Sequence, residues 1–256
     1  MTANRSGGPT IEFDHVSFHL NGRAILNEIS LSVQAGETLV LLGRSGSGKT
    51  TTLKLINGLQ RPTHGEVRVN GRSTAEWNGI QLRRSIGYVI QEGGLFPHFT
   101  VERNIAIVPR SEGWKDARVK ARVHDLLTMV GLGGDLASRY PSELSGGQRQ
   151  RVGVARALAA DPPILILDEA FGALDPITRS EMQKEFRSLQ QRLGKTVIFV
   201  THDLREALML ADRIALVEDG RLIVNLTPAE FLQSQDPLVR AYVEAFSEPA
   251  NVRRSA

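Results

Sequence analysis

Two kinds of hydrophobic pattern follow each other along the chain. Residues 11–18 and 25–33 show the period-two alternation of half-buried β-strands, whereas three later segments are short and almost wholly apolar. Apolar runs of this kind are typical of strands covered on both faces, as in a parallel sheet. They are residues 38–42, 164–167 and 196–200, and further strands are predicted at 66–70, 86–90, 214–217 and 221–224. The pattern predicts an α/β protein.

A helical period appears between two of these runs. Residues 177–193 place Met182, Phe186, Leu189 and Leu193 on one helical face, so a strand, a crossover helix and a parallel strand follow in order. Helices are also predicted at 51–59, 101–107 and 114–130. The last two lie in a region with Gly- and Pro-containing loops, which we interpret as an inserted helical lobe.

The expected domain organisation follows from these segments. We expect one domain, with a loose polar leader before it and a polar tail after it. The boundaries are 1–10 for the flexible leader, 11–246 for the domain, 11–91 and 161–246 for its core with a β subdomain, 92–160 for the helical lobe and 247–256 for the tail.

Composition narrows the function classes. The 256 residues are 41% hydrophobic, with 31 Lys+Arg interspersed among 28 Asp+Glu and no basic stripe, so we expect no nucleic-acid partner. Cysteine is absent, which excludes disulfides and thiolate metal sites. No apolar run approaches the roughly 18 to 20 residues that cross a bilayer, so the sequence predicts no membrane span.

A glycine-rich segment separates the strand at 38–42 from the helix at 51–59. It reads Gly-Arg-Ser-Gly-Ser-Gly-Lys-Thr, and its backbone N–H groups would turn around an anion at the N-terminus of the following helix. Lys49 would reach the β- and γ-phosphates of a nucleotide and Thr50 would hold Mg²⁺. A plain flexible turn is the alternative, but both flanks favour the phosphate loop. Its predicted binding residues are Gly43, Arg44, Ser45, Gly46, Ser47, Gly48, Lys49, Thr50 and Thr51.

Two carboxylates follow the strand at 164–167. The carboxyl end of a parallel strand is where open α/β sheets bind ligands. Asp168 is therefore predicted to hold Mg²⁺ through water, and Glu169 to polarise a water that attacks the γ-phosphorus. The alternative, an acidic pair that only ends a strand, is less favoured beside a phosphate loop. The pair predicts hydrolysis.

A second anion-type loop precedes another helical run. Ser145, Gly146, Gly147 and Gln148 open the helix predicted at 149–160. One nucleotide does not need two such loops from one chain, so we expect two copies in which the loop of each closes over the nucleotide of the other. Ser145 as an ordinary helix N-cap is the alternative, which leaves the two glycines unexplained.

In this order the three motifs resemble the Walker A, signature and Walker B motifs of ABC-type ATPases, and the resemblance covers about residues 11–246. It implies a P-loop ATPase with a RecA-like parallel-sheet core, an N-terminal antiparallel β subdomain and an inserted helical subdomain. It also implies ATP and Mg²⁺ as ligands and an ATP-sandwich dimer of two identical chains.

The resemblance assigns further roles. Gln91 resembles the glutamine that senses Mg²⁺ and the γ-phosphate, His202 the switch histidine, and Asp175 the aspartate at the dimer seam. With Glu169 and Lys49, Gln91 and His202 complete the catalytic set that the resemblance implies. The family's adenine-stacking aromatic falls at Leu20. Phe18 would lie on the same strand face and substitute in part, so we expect weak base selection.

Residues 86–108 look most like ATPase subunits of importers for quaternary-amine osmoprotectants. This resemblance implies a separate membrane permease, an indirect solute-binding partner and a place on the cytoplasmic face of the inner membrane. Leu95 and Phe96 would receive a short helix of the permease, unless they pack inside the helical lobe. A different substrate class, such as amino acids or lipids, stays open, as do a soluble ABC protein without transport and a regulatory protein without hydrolysis.

Overall fold

The structure, a computed structural model, describes residue 8 and residues 10–90 and 94–247. The strands are β1 Ile11–Leu20, β2 Arg23–Val33, β3 Thr38–Leu42, β4 His64–Val69, β5 Arg72–Ser73, β6 Ile86–Val89, β7 Ile164–Asp168, β8 Thr196–Thr201, β9 Arg213–Glu218 and β10 Arg221–Leu226. The helices are α1 Lys49–Ile56, α2 Gly79–Arg84, α3 Val101–Ile105, α4 Ile107–Ser111, α5 Asp116–Met129, α6 Gly146–Ala157, α7 Pro176–Leu193, α8 Leu204–Leu210, α9 Pro228–Gln233 and α10 Pro237–Ser247.

The strands form two sheets. An antiparallel sheet has the order β2-β1-β4-β5, and a six-stranded sheet has the order β10-β9-β3-β8-β7-β6. In the larger sheet the five strands from β9 to β6 are parallel, and β10 is antiparallel at its edge. The carboxyl ends of β3, β7 and β8 therefore meet at one edge of the sheet, where polar loops follow each strand.

The central strands are apolar on both faces because each face has its own core. Leu39 and Leu41 of β3 pack with α1 and the antiparallel sheet, whereas Val40 and Leu42 pack with the helices on the other side. Val197 and Phe199 of β8 alternate with their neighbours in the same way. Two-sided burial explains why these strands lack the alternation that β1 and β2 show.

The helical lobe joins one of these cores. α3, α5 and α6 pack against one another, and short 3₁₀ segments at Gly134–Ser138 and Pro141–Glu143 lead into α6. The helix predicted at 101–107 is two short helices that meet at Ala106. In the described part of the chain, no helix combines the length and the apolar character that a membrane span requires.

Candidate functional site

The phosphate loop lies between β3 and α1, pressed against neighbouring strands. A Cβ atom on Gly43 would approach the carbonyl oxygen of Val217 to 2.2 Å, and one on Gly48 would approach Leu26 Cδ2 to 2.5 Å. Gly48 also has a φ of +104°, a conformation that L side chains rarely adopt. The loop keeps this path only because these two positions lack side chains.

Lys49 is buried inside the loop. Its Nζ donates hydrogen bonds to the carbonyl oxygens of Gly43 at 2.8 Å and Arg44 at 2.7 Å. Burial lowers the pKa of Lys49, while the carboxylates of Glu169 and Asp168 act in the opposite direction. A buried ammonium held by loop carbonyls is suited to an anion bound in the same loop, because the anion would offset the lost hydration.

The predicted acidic pair lies at the end of β7. Burial raises the pKa of Asp168, and the hydroxyl of Tyr88, which donates to Asp168 Oδ2 at 3.1 Å, works against that rise. Glu169 has a φ of +46°, and its N–H donates to the carbonyl of Val200 at 3.0 Å. The left-handed backbone, which costs a non-glycine residue on the order of 1–2 kcal/mol, turns the chain sharply after the strand.

His202 follows the next strand, β8, and its side chain is 64% exposed. Its Nδ1 lies 3.6 Å from Glu169 Oε1, so the structure brings together the predicted base and the predicted switch histidine. Both face a cavity of about 590 Å³ that Gly43, Arg44 and Ser45 of the phosphate loop also line. The position of Glu169 after a parallel strand predicts its place beside the phosphate loop, whereas His202 was expected there only from its resemblance to the switch histidine.

Two walls of this cavity were not predicted from the sequence. Glu218, at the end of β9, lies with its Oε1 3.8 Å from Arg44 Nε. The helix α10 supplies the other wall through Leu238, Ala241, Tyr242 and Ala245. The Asp236-Pro237 pair is a typical helix start and is the signal that would have indicated α10, whereas nothing in the local pattern singles out Glu218.

The second predicted loop lies at the junction of α6 and α7. Ser145 caps α6: its Oγ accepts from Gln148 N at 3.2 Å, and Gln148 Oε1 accepts from Ser145 N at 2.9 Å. A Cβ on Gly147 would lie 2.9 Å from Thr178 Cγ2 of α7, so close helix packing accounts for this glycine. Asp175 caps α7 through the N–H groups of Ile177 and Thr178.

These residues do not share the cavity of the phosphate loop. Among the described residues, the lining of that cavity includes neither the Ser145 loop nor Asp175. Within the described residues of one chain, the two predicted groups thus do not line the same cavity.

The predicted position of Phe18 is wrong. Phe18 is 8% exposed and packs in the core, whereas Leu20 is 51% exposed. Irregular register between β1 and β2 on both sides of Phe18 breaks the alternation that would have placed the two residues on one face. Phe18 is therefore not available to stack on a base. Thr50 is exposed and Thr51 half-buried at the start of α1, and Gln91 lies outside the described residues.

Comparisons with known proteins agree with this geometry. A family model described as "ABC transporter" matches residues 26–172. A glycine betaine/carnitine/choline transport ATP-binding protein of Bacillus subtilis is 48% identical over 88% of this chain and 58% of its own length. An osmoprotectant import ATP-binding protein of Salmonella typhimurium is 52% identical over 81% of this chain and 54% of its own length. The chain thus spans less than two thirds of these relatives.

Solved structures give the same result. The dimeric post-hydrolysis state of the ATP-binding cassette MJ0796 bound to ADP and Pi has a TM-score of 0.76 at 32% identity, covering 85% of this chain and 98% of that one. For cbiO1 from Clostridium perfringens, part of the transporter complex cbiONQ, the TM-score is 0.81 at 27% identity, covering 91% of this chain and 94% of that one. These likenesses confirm the predicted fold class.

Proposed function

Because the chain belongs to the ABC transporter family of ATP-binding proteins, we propose that it is the ATP-hydrolysing motor subunit of a solute importer. The observation that carries the proposal is the cavity in which the phosphate loop, Glu169 and His202 meet. An anion cradle alone would support binding, whereas a carboxylate and an imidazole facing the same cavity support chemistry on the bound phosphate.

The triphosphate of ATP occupies the loop in this proposal. Backbone N–H groups of residues 43–50 and the Lys49 ammonium hold the β- and γ-phosphates. The Thr50 hydroxyl and the Asp168 carboxylate are the hard oxygen donors that Mg²⁺ prefers, and few protein ligands suffice because phosphate and water oxygens complete its shell. Bound there, Mg²⁺ would neutralise charge on the phosphate oxygens. Gln91 is retained as a proposed sensor of that site.

Hydrolysis follows from the position of Glu169. Its carboxylate accepts a proton from a water that attacks the γ-phosphorus, while the bond from that phosphorus to the β–γ bridging oxygen breaks and ADP leaves. His202 donates a hydrogen bond to a γ-phosphate oxygen. Lys49 offsets the charge that moves onto the bridging oxygen.

A second copy completes the site. Ser145, Gly146, Gly147 and Gln148 lie apart from the cavity of their own chain, so we propose that they close over the nucleotide of a partner copy, with Asp175 at the seam. The N-terminus of the twelve-residue α6 directs its N–H groups toward that nucleotide. The dimeric structure of the cassette MJ0796 supports this arrangement.

The transported solute is proposed from the relatives. Their names point to quaternary-amine osmoprotectants such as glycine betaine. We further propose that the solute passes through a separate permease supplied by a solute-binding protein, with the ATPase on the cytoplasmic face of the inner membrane. Phe96, 52% exposed, borders a groove of about 390 Å³ with Ile107 and Val108. The groove is also lined by Ile90, the residue before Gln91. Its apolar lining suits a short helix of the permease.

The test is the substitution Glu169→Gln. It keeps the size of the side chain and removes the proton acceptor, so we expect ATP turnover to fall about 100-fold or more. ATP binding should persist, and an ATP-dependent dimer should accumulate in size-exclusion chromatography with light scattering. The exposed Glu181 of α7 offers a matched control, because Glu181→Gln leaves the cavity untouched. Turnover at the parent rate in the Glu169 variant would contradict the assignment.

A further inference from the structure

A buried carboxylate that the proposed reaction does not use lies close to the switch histidine. Glu206 of α8 is 4% exposed. Its Oε1 accepts a hydrogen bond from Gln183 Nε2 of α7 at 2.9 Å, and its Oε2 accepts one from the hydroxyl of Thr201. A charge taken out of water is costly, so a carboxylate kept at this depth with two donors from separate elements points to a specific task.

The Thr201 hydroxyl connects this carboxylate to the backbone around His202. Thr201 is the last residue of β8, and its Oγ1 also accepts a hydrogen bond from the N–H of Asp203 at 3.0 Å. Residues 201 and 203 are thus tied together on either side of residue 202. Because the Thr201 hydroxyl donates its hydrogen bond to Glu206, the lone pairs of Oγ1 are directed toward the Asp203 N–H.

The imidazole of His202 depends on this turn for its position. Its side chain is 64% exposed, and its charged neighbour is Glu169, with 3.6 Å between Nδ1 and Oε1. Core packing does not hold a side chain that is so exposed, so the direction of its Cα–Cβ bond is set by the backbone of the turn. A shift of about 1 Å in a group that contacts a reacting phosphate is enough to cost up to about a hundredfold in rate.

Gln183 fixes the other end of the network. It is buried in the middle of α7, a helix of eighteen residues whose Met182, Phe186 and Leu189 pack in the core. Glu206 is therefore held between a long helix and the strand end.

We propose that Glu206 and Thr201 are positioning residues that hold the His202 turn in the orientation required at the γ-phosphate. This inference rests on the proposed ATPase function. Neither residue touches the nucleotide; each acts through the backbone on either side of His202.

The experiment compares Thr201→Val, which removes the hydroxyl but keeps the shape, with Thr201→Ser, which keeps the hydroxyl. Both are made in the parent chain and in a His202→Ala background, and kcat, the KM for ATP and the thermal unfolding midpoint are measured. We expect Thr201→Val to lower kcat by about ten- to a hundredfold, with KM changed less than about twofold. Thr201→Ser should restore most of the rate.

Non-additivity separates positioning from a general structural role. If Thr201 acts through His202, Thr201→Val should have little further effect in the His202→Ala background, as single-turnover hydrolysis would measure. An equal fold-loss in both backgrounds, or a loss of rate that follows only the unfolding midpoint, would overturn the inference. If Thr201→Val does not fold, Gln183→Met, which removes only the donor from α7, takes its place with the same expected non-additivity.

The outcomes also separate this inference from the function on which it rests. A parent chain that does not hydrolyse ATP overturns the proposed function. The parent chain could instead hydrolyse ATP and lose rate on His202→Ala, with the effects of Thr201→Val and His202→Ala on the rate independent of each other. That result overturns the positioning role alone.

Discussion

At the scale of single residues, the phosphate loop depends on positions where a methyl group does not fit. Gly43 has an ordinary backbone, but its Cβ would meet the Val217 carbonyl at 2.2 Å and Ser47 Oγ at 2.7 Å. We expect Gly43→Ala to lower stability by about 1–3 kcal/mol and to weaken ATP binding at least tenfold, because either the loop or the end of β9 must move. Fluorescent-nucleotide titration and thermal unfolding measure both.

Gly22 provides the control. It has a φ of +76° in the turn between β1 and β2, and among the described residues no atom lies within 4 Å of the added Cβ. Gly22→Ala should cost about 1 kcal/mol for backbone strain alone and leave ATP affinity unchanged. Wild-type affinity in Gly43→Ala would show that the loop tolerates the contact.

The sequence could predict which side chains come together where the order of the parallel strands decides their place, while the roles assigned to those side chains stay predictions. Glu169 and His202 line one cavity with residues 43–45 of the phosphate loop because the carboxyl ends of parallel strands meet. Lys49 lies next to that cavity, with its Nζ bonded to the Gly43 carbonyl. The prediction for Phe18 was wrong because the register irregularities in β1 depend on pairing with β2 and are not visible in the apolar pattern of the sequence. Glu218 was not predicted because its place beside the phosphate loop depends on the pairing of β9 with β3, two strands that are far apart in the sequence.

At the scale of elements, helix N-termini carry both stability and the proposed chemistry. Ser145 caps α6 in a capping box, and Thr227 caps α9 in the same way with Glu230. Ser145→Ala and Thr227→Ala should each lower stability by about 1 kcal/mol through the lost cap. Only Ser145→Ala should also lower ATP turnover, because only this hydroxyl is proposed to face the nucleotide of a second copy.

Thermal unfolding and steady-state turnover of the two variants decide this prediction. Equal turnover in Ser145→Ala and Thr227→Ala would mean that Ser145 is an ordinary cap, the alternative that the sequence left open. ATP affinity of the isolated chain at low concentration should be the same in both variants, since the cavity of the single chain does not include either residue in its described lining.

Element prediction was limited by helix length. α2 and α9 have six residues and α8 has seven, so each makes about two turns or fewer and offers too few positions for a period to be recognised. The long α7 and the buried strands were predicted because their apolar positions repeat often enough.

At the scale of the whole molecule, Glu206 links stability to pH. Burial raises the pKa of Glu206; the carboxylate of Asp203 adds to the rise, while hydrogen bonds from Thr201 and Gln183 and the charge of Arg179 oppose it. The folded chain therefore binds this proton more tightly than the unfolded chain, whose Glu has the ordinary value of 4.5. The resulting stability is fully present below that value and is lost as pH rises through the folded pKa.

Glu206→Gln removes this titration. The difference in unfolding midpoint, variant minus parent, should grow in favour of the variant as pH rises above about 4.5, and then become constant once Glu206 is ionised in the folded chain. Unfolding scans across a pH series measure it, with Glu181→Gln as the exposed control. A difference that stays the same at every pH would show that Glu206 titrates alike in the folded and unfolded chains.

The wall that α10 contributes to the cavity has a pharmacological consequence. Leu238, Ala241 and Ala245 supply apolar side chains to the pocket lining, which also includes residues 43–45 of the phosphate loop and the carboxylates of Glu169 and Glu218. A compound with an aliphatic arm lodged beneath this helix would compete with the triphosphate without imitating it. Its selectivity would then come from α10 and not from the glycine-rich motif that so many nucleotide enzymes possess.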